Sequence, residues 1–158
     1  MKEKVDYVIN YETLLIMPYE NDKSKVYEYD EIFIVNMNVM DIIKNSCLFF
    51  GSSLDGRKEG TKHLISCEMK VPIIVEDSGL LIFFPTGSYR NKSNIWISYN
   101  NILNYSKIDS NHTMIFFKEN NNISINVKYN ILDNQIIRCI KLDAVFNKRS
   151  LFSNLSEK

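Results

Sequence analysis

Glycine, proline, cysteine and histidine are all scarce in this chain, at five, three, three and two of 158 residues. So few glycines and prolines exclude a collagenous, low-complexity or linker-rich protein. Cys47, Cys67 and Cys139 are odd in number, widely spaced and without a C-x-x-C pair. They read as buried or idle thiols in a reducing compartment, not as a disulfide framework or a zinc site. Neither His63 nor His112 stands near a second metal-type ligand at a recognisable spacing, so no metal site is expected. A nucleophile elbow, a phosphate loop and a dinucleotide fingerprint are missing too. No catalytic residue and no cofactor are expected. An enzyme built on a Cys–His pair meeting in space would have to lose activity on substitution of His63 or Cys47. Long apolar runs are absent: the longest, Leu80 to Phe84, is far below the roughly 20 residues that span a bilayer. The charged opening, Met1-Lys2-Glu3-Lys4-Val5-Asp6, lacks the apolar run of a signal peptide. The expectation is a cytoplasmic protein with no membrane partner.

What is present suits one compact domain. Apolar and aromatic residues make up 45% of the chain, enough for a core at this length. Net charge is zero, which by itself argues against nucleic-acid binding, but its distribution is uneven. Residues 1–31 carry eight acids against four lysines, a balance of −4, and the remainder carries 15 basic groups against 11 acids, hence +4. No acid occurs from Ser78 to Ile108, a stretch holding Arg90, Lys92 and Lys107. That permits a basic face for phosphates without demanding one.

The patterning predicts an α+β fold: an antiparallel β-sheet or partly closed barrel, with one short helix and one long C-terminal amphipathic helix. Alternation at Val5, Tyr7, Ile9 and then Leu14, Ile16 predicts two strands around a turn at Asn10-Tyr11-Glu12. A polar loop, Glu20 to Lys25, precedes a strand at Glu31–Asn36. Met40, Ile43 and Cys47 follow helical spacing, with Asn38 or Asp41 as cap and an end near Gly51. Three of the five glycines fall in Gly51 to Gly60, predicting a loop there. Strands are expected at Lys62–Met69, Pro72–Glu76, Leu80–Phe84 and Ile95–Tyr99, with an exposed loop at Thr86–Asn94. A hairpin is expected from Met114–Lys118 and Ile123–Val127 around Asn120-Asn121-Asn122. Leu132, Ile136, Ile140 and Ala144 repeat every four residues, predicting a helix from about Ile131 to Phe146. The domain is taken as residues 1–149, with 150–158 a flexible tail.

Two segments carry candidate binding chemistry. In the first, Ser52, Ser53, Arg57 and Lys58 put hydroxyls and cations beside unhindered glycine amides, a set that can grip phosphate oxygens. An ordinary solvated loop has the same composition. In the second, Ser88 to Asn94 mixes Arg90 and Lys92 with amides and Tyr89. Arginines and amides of this kind read groove edges, and lysines hold the DNA backbone. Trp96, within Ile-Trp-Ile, reads as core packing before base stacking. Arg138, Lys141, Lys148 and Arg149 give the last helix a basic face, for a groove, a dimer seam or solvent.

The run Ser46-Cys47-Leu48-Phe49-Phe50-Gly51-Ser52-Ser53-Leu54-Asp55-Gly56-Arg57-Lys58-Glu59-Gly60-Thr61 resembles the characteristic C-x-F-F-G-S-S-x-x-G-R-K-x-G-[ST] block of the ComK family. Pro72-Ile73-Ile74-Val75 leading to Phe83-Phe84-Pro85-Thr86, then Trp96-Ile97-Ser98, and Tyr129-Asn130 with Asn134-Gln135, are similar to further family segments. The likeness covers about residues 30 to 146. It implies an activator of genes for DNA uptake and recombination that recognises paired A/T-rich boxes in double-stranded DNA, largely through the minor groove. It also implies a homo-oligomer that works with RNA polymerase. On that basis Arg57, Lys58 and Lys62 are the first candidates for DNA contact, with Arg90 and Lys92 second and Ser52 and Ser53 beside them. The chain departs from the pattern at Leu54, often Tyr in the family, and at Lys70-Val71-Pro72, where the family has a Lys-Pro-Pro-like stretch. Family members continue into a tail that docks a protease adaptor. Leu151 to Lys158 offers no equivalent, so adaptor docking by that route is not expected. A shortened relative of this kind has an alternative role, as a regulatory partner that heterodimerises with a full-length member.

Overall fold

The computed structural model describes residues 1–156. Seven strands form one sheet: β1 (Lys2–Lys4), β2 (Thr13–Tyr19), β3 (Lys23–Glu28), β4 (Glu31–Val35), β5 (Ile73–Ile74), β6 (Ile82–Pro85) and β7 (Trp96–Ser98). Their spatial order is β1-β4-β3-β2-β7-β6-β5, antiparallel throughout except for β1 beside β4. A second, three-stranded sheet orders β10 (Asn121–Ile125), β9 (Thr113–Phe117) and β8 (Ile102–Lys107). Neither sheet closes into a barrel. The helices are α1 (Val39–Phe49), α2 (Leu54–Ile65) and α3 (Tyr129–Ser156). The α+β expectation with a long terminal helix holds; the single sheet or barrel and the single short helix do not.

The period of two along a strand splits adjacent apolar residues between the faces of the large sheet. Ile16, Phe83, Trp96 and Ile73 pack on one side with Ile42, Ile43 and Cys47 of α1. Their chain neighbours Leu15, Phe84, Ile97 and Ile74 pack on the other with Leu132, Ile136, Cys139 and Leu142 of α3, and with Ile115 and Phe117 of the small sheet. The central strands are therefore buried on both faces, which accounts for their unbroken apolar sequences.

Several expectations are corrected here. Val5 to Ile9 forms no strand, although Tyr7 and Ile9 are buried. Lys23–Glu28, expected partly as loop, is β3, and β8 was not foreseen. Of Gly51–Gly60 only Gly51 to Ser53 is loop, and Lys62–Met69 is not a strand, because α2 occupies Leu54–Ile65. Ser53 caps that helix, its Oγ accepting the Gly56 N–H at 2.9 Å. Leu54, Thr61 and Ile65, at helical spacing, are its buried face. Tertiary packing against α1, α3 and β5 outweighs the roughly 1 kcal/mol that each interior glycine costs a helix. Gly51, with φ of +97°, supplies the break after α1. Of the two cap candidates Asn38 caps α1, accepting the Asp41 N–H at 2.8 Å.

The α3 stripe also differs. Leu132, Gln135, Ile136, Cys139 and Leu142 are buried, following the helical period and not a strict repeat of four, so Ile140 and Ala144 drift onto the exposed side. The helix runs ten residues past its expected end. The expected tail, 150–158, is helical backbone as far as Ser156, and its last two residues lie outside the described residues. Among the described residues no helix is long and apolar enough to cross a membrane.

Candidate nucleic acid interface

The loop Thr86–Asn94 links β6 to β7 and holds its shape through its own polar groups. Asn91 N–H donates to the Ser88 carbonyl at 3.0 Å, and Asn94 N–H to the Asn91 carbonyl at 3.1 Å. Asn94 is buried and its side-chain amide donates to the Ser88 carbonyl at 2.6 Å. Thr86 Oγ1 accepts the Ile95 N–H, and Asn91 Oδ1 the Ser93 N–H. Asparagine-rich chemistry of this sort replaces a backbone ladder with side-chain turns. Arg90 and Lys92 project from that frame, exposed and with no ion-pair partner among the described residues.

Tyr89 anchors the loop. Its hydroxyl donates to the Val71 carbonyl at 2.6 Å, and its ring meets Trp96 edge-on, centroids 5.1 Å apart. Burial pushes its hydroxyl well above the usual phenol range, so it stays a neutral donor. Trp96 is wholly buried and serves the core, as its sequence context suggested. On the outer face of Tyr89 lies Lys58, its Nζ 4.3 Å from the ring centroid. This contact brings the two candidate segments together: α2 supplies Lys58, the loop supplies Arg90 and Lys92.

The other α2 candidates are differently placed. Arg57 folds inward, its side chain only 14% exposed. One terminal nitrogen donates to the Phe50 carbonyl at 3.3 Å and the other pairs with Asp77 at 2.9 Å, while Nε is buried without an acceptor among the described residues. Lys62, in the last turn of α2, lies 3.6 Å from Glu59 and 4.0 Å from Glu68. Ser53 is committed to its cap, and Ser52 is half-buried with its N–H on the Cys47 carbonyl.

The loop also lines two grooves. The first, about 510 Å³, runs between the loop (Tyr89, Arg90, Asn91, Lys92, Asn94) and the β2–β3 turn (Pro18, Tyr19, Asp22, Lys23), over the start of α1. Asn21 and Asp22 both have positive φ, 54° and 59°, the conformation that closes a two-residue hairpin. The second, about 310 Å³, shares Asn91 with the first and lies against Asn111, Asn126, Val127, Lys128 and Ile131. Lys23 and Lys128 were not singled out from sequence, and Tyr89 was named there only as the aromatic of the loop. The acid-free stretch pointed at the loop, but nothing local marks residues that meet it from distant parts of the chain on either side, Lys23 well before it and Lys128 well after.

The chemistry of catalysis is not assembled around these grooves. His63 is exposed on α2, and His112 Nδ1 contacts Asp109 at 2.8 Å within a surface turn. Asn111 N–H and then His112 hold the Asp109 carboxyl below its usual range. All three thiols are buried; burial pushes Cys47 up to about 11. No cluster of three or more His, Cys, Asp or Glu suited to a metal ion occurs among the described residues.

Comparison with known proteins agrees with the resemblance in the sequence. The family model described as ComK protein matches residues 4–151. The competence transcription factor of Bacillus subtilis (strain 168) is 33% identical over 157 residues, covering 94% of this chain and 82% of that protein. No solved structure matches the chain.

Proposed function

The chain belongs to the ComK family, and on that premise we propose that it is a DNA-binding transcription activator of competence genes. In this reading it binds paired A/T-rich boxes as a homo-oligomer and works with RNA polymerase. The observation that carries the reading is the Lys58–Tyr89 contact at 4.3 Å, which sets one cation of α2 against the loop that bears Arg90 and Lys92. Arg90 and Lys92 are the leading DNA contacts, with Lys58 beside them and Lys62, Ser52 and Ser53 further along α2. Arg57 acts here mainly as a brace for α2, through Phe50 and Asp77.

Zero net charge is no obstacle to this role. A/T tracts have a narrow, electronegative minor groove that attracts arginine, and its degenerate code needs few base-specific contacts. Two protomers on paired boxes add avidity without additional charge.

The test is a titration onto a fluorescent duplex carrying two A/T boxes, against a G/C-rich duplex, at several salt concentrations. Tighter binding to the A/T duplex, with log affinity falling linearly in log salt, is the expected result. Arg90→Ala reduces both the affinity and the A/T preference. Equal or absent binding to the two duplexes overturns the reading.

A further inference from the structure

We propose that the loop Thr86–Asn94 enters the minor groove as a ridge, and that the two grooves beside it seat the two sugar–phosphate strands of the duplex. This rests on the DNA-binding reading above and goes beyond it, assigning backbone contacts to Lys23 and Lys128, which lie far from both segments recognised in sequence.

Three observations carry the proposal. The first is shape: Asn91 lines both grooves, so the loop is the wall common to them, with Arg90 and Lys92 exposed upon it. A B-form minor groove is only about 6 Å wide, so whatever enters it meets a phosphate strand on each side. The second is charge. The first groove gathers Lys23, Arg90 and Lys92 against a single lining acid, Asp22; the second has Lys128 and no lining acid. Amides and hydroxyls stand among the other lining groups, Asn38, Asn91 and Asn94 in one and Thr86, Ser93, Asn111 and Asn126 in the other, on otherwise apolar walls. Side chains of these types are the usual partners of phosphate and sugar oxygens. The third is rigidity. Hydrogen bonds within the loop and the Tyr89 anchor on Val71 and Trp96 hold the ridge in place before any ligand arrives, which limits the ordering cost of binding. The start of α3, with no acid in its first turn, borders the second groove and adds a favourable field for anions there.

The two flanking lysines therefore neutralise phosphates on opposite strands, and Arg90 reads the groove between them. The division of labour is measurable. Lys23→Gln and Lys128→Gln each weaken binding about 3- to 10-fold, equally on A/T-rich and G/C-rich duplexes, and each flattens the log–log salt slope by about one. The double variant flattens it by about two. Lys118→Gln, which lines neither groove, leaves the slope unchanged, and far-ultraviolet circular dichroism checks that every variant is folded. A slope altered by only one of the two lysines, or by neither, overturns the straddling geometry while leaving DNA binding itself intact. Wild-type protein that binds no duplex overturns both.

Discussion

At the residue scale, identity and role part company at Arg57. Its neighbours in the sequence suggest a solvated cation, yet its guanidinium is folded against the Phe50 carbonyl and Asp77. A charged donor to a carbonyl is worth more than an exposed ion pair, and Asp77 is 88% exposed. Arg57→Ala should therefore lower stability by about 1–2 kcal/mol, and Asp77→Asn by no more than about 0.5 kcal/mol. Thermal melts of the two variants decide it; equal shifts would mean that the carbonyl contact contributes nothing. Any loss of DNA affinity in Arg57→Ala has to be read against that melt, whereas Arg90, exposed and unpaired among the described residues, reports on binding alone.

The three helices show how far local signals reach. Asn38 and the Met40, Ile43, Cys47 spacing made α1 readable, because cap and stripe agree. In α2 they conflict: Ser53 caps and Leu54, Thr61 and Ile65 form a stripe, but Gly56 and Gly60 argue for a loop. Packing decides the conflict, and glycine substitutions test it. A Cβ at Gly60 meets nothing within 4 Å, so Gly60→Ala should stabilise by about 0.5–1 kcal/mol, a rise of roughly 1–4 °C in Tm. A loop at that position would show no such gain. Gly56→Ala should gain less, since its Cβ would press on Ser52 Oγ at 2.9 Å and on the capping Ser53 Oγ at 3.2 Å. Gly79→Ala should instead destabilise by about 2 kcal/mol or more: φ is +78°, and a Cβ would fall 2.6 Å from the Phe146 ring of α3. Differential scanning calorimetry of the three variants would order them.

On the scale of the whole molecule, the two core layers share the strands β2, β6 and β7, so neither can open alone. Both layers bury groups that ionise at alkaline pH. Burial raises the Cys47 thiol to about 11 and the Cys139 thiol well above its usual value, and pushes the Tyr7 and Tyr89 hydroxyls above the phenol range. For Tyr7 the bonded Glu28 carboxylate adds to the rise. As pH climbs from the ordinary thiol value near 9 toward 11, the unfolded chain loses these protons and the folded chain keeps them. Stability is therefore full below pH 9 and declines above it. Trp96 emission and far-ultraviolet circular dichroism should fall in one coincident transition, at a temperature that drops between pH 9 and 11. Separate transitions from the two probes would mean that the layers unfold independently.

By itself the sequence determined the α+β class, the helix α1, the terminal helix and the family, because those signals are local: period, capping chemistry and an ungapped motif. It also marked the loop Thr86–Asn94 through the long stretch without acids. Only tertiary structure decided that the glycine-rich segment is helical, that Arg57 turns inward and that Lys58 stacks on Tyr89. Each of those depends on a partner distant along the chain, and neither propensity nor spacing carries information about which distant surface a side chain will meet. The grooves lined by the loop belong to the same class. Their far walls come from the β2–β3 turn and from the start of α3, brought to one loop by the pairing of β2 with β7 and the packing of α3 on the sheet.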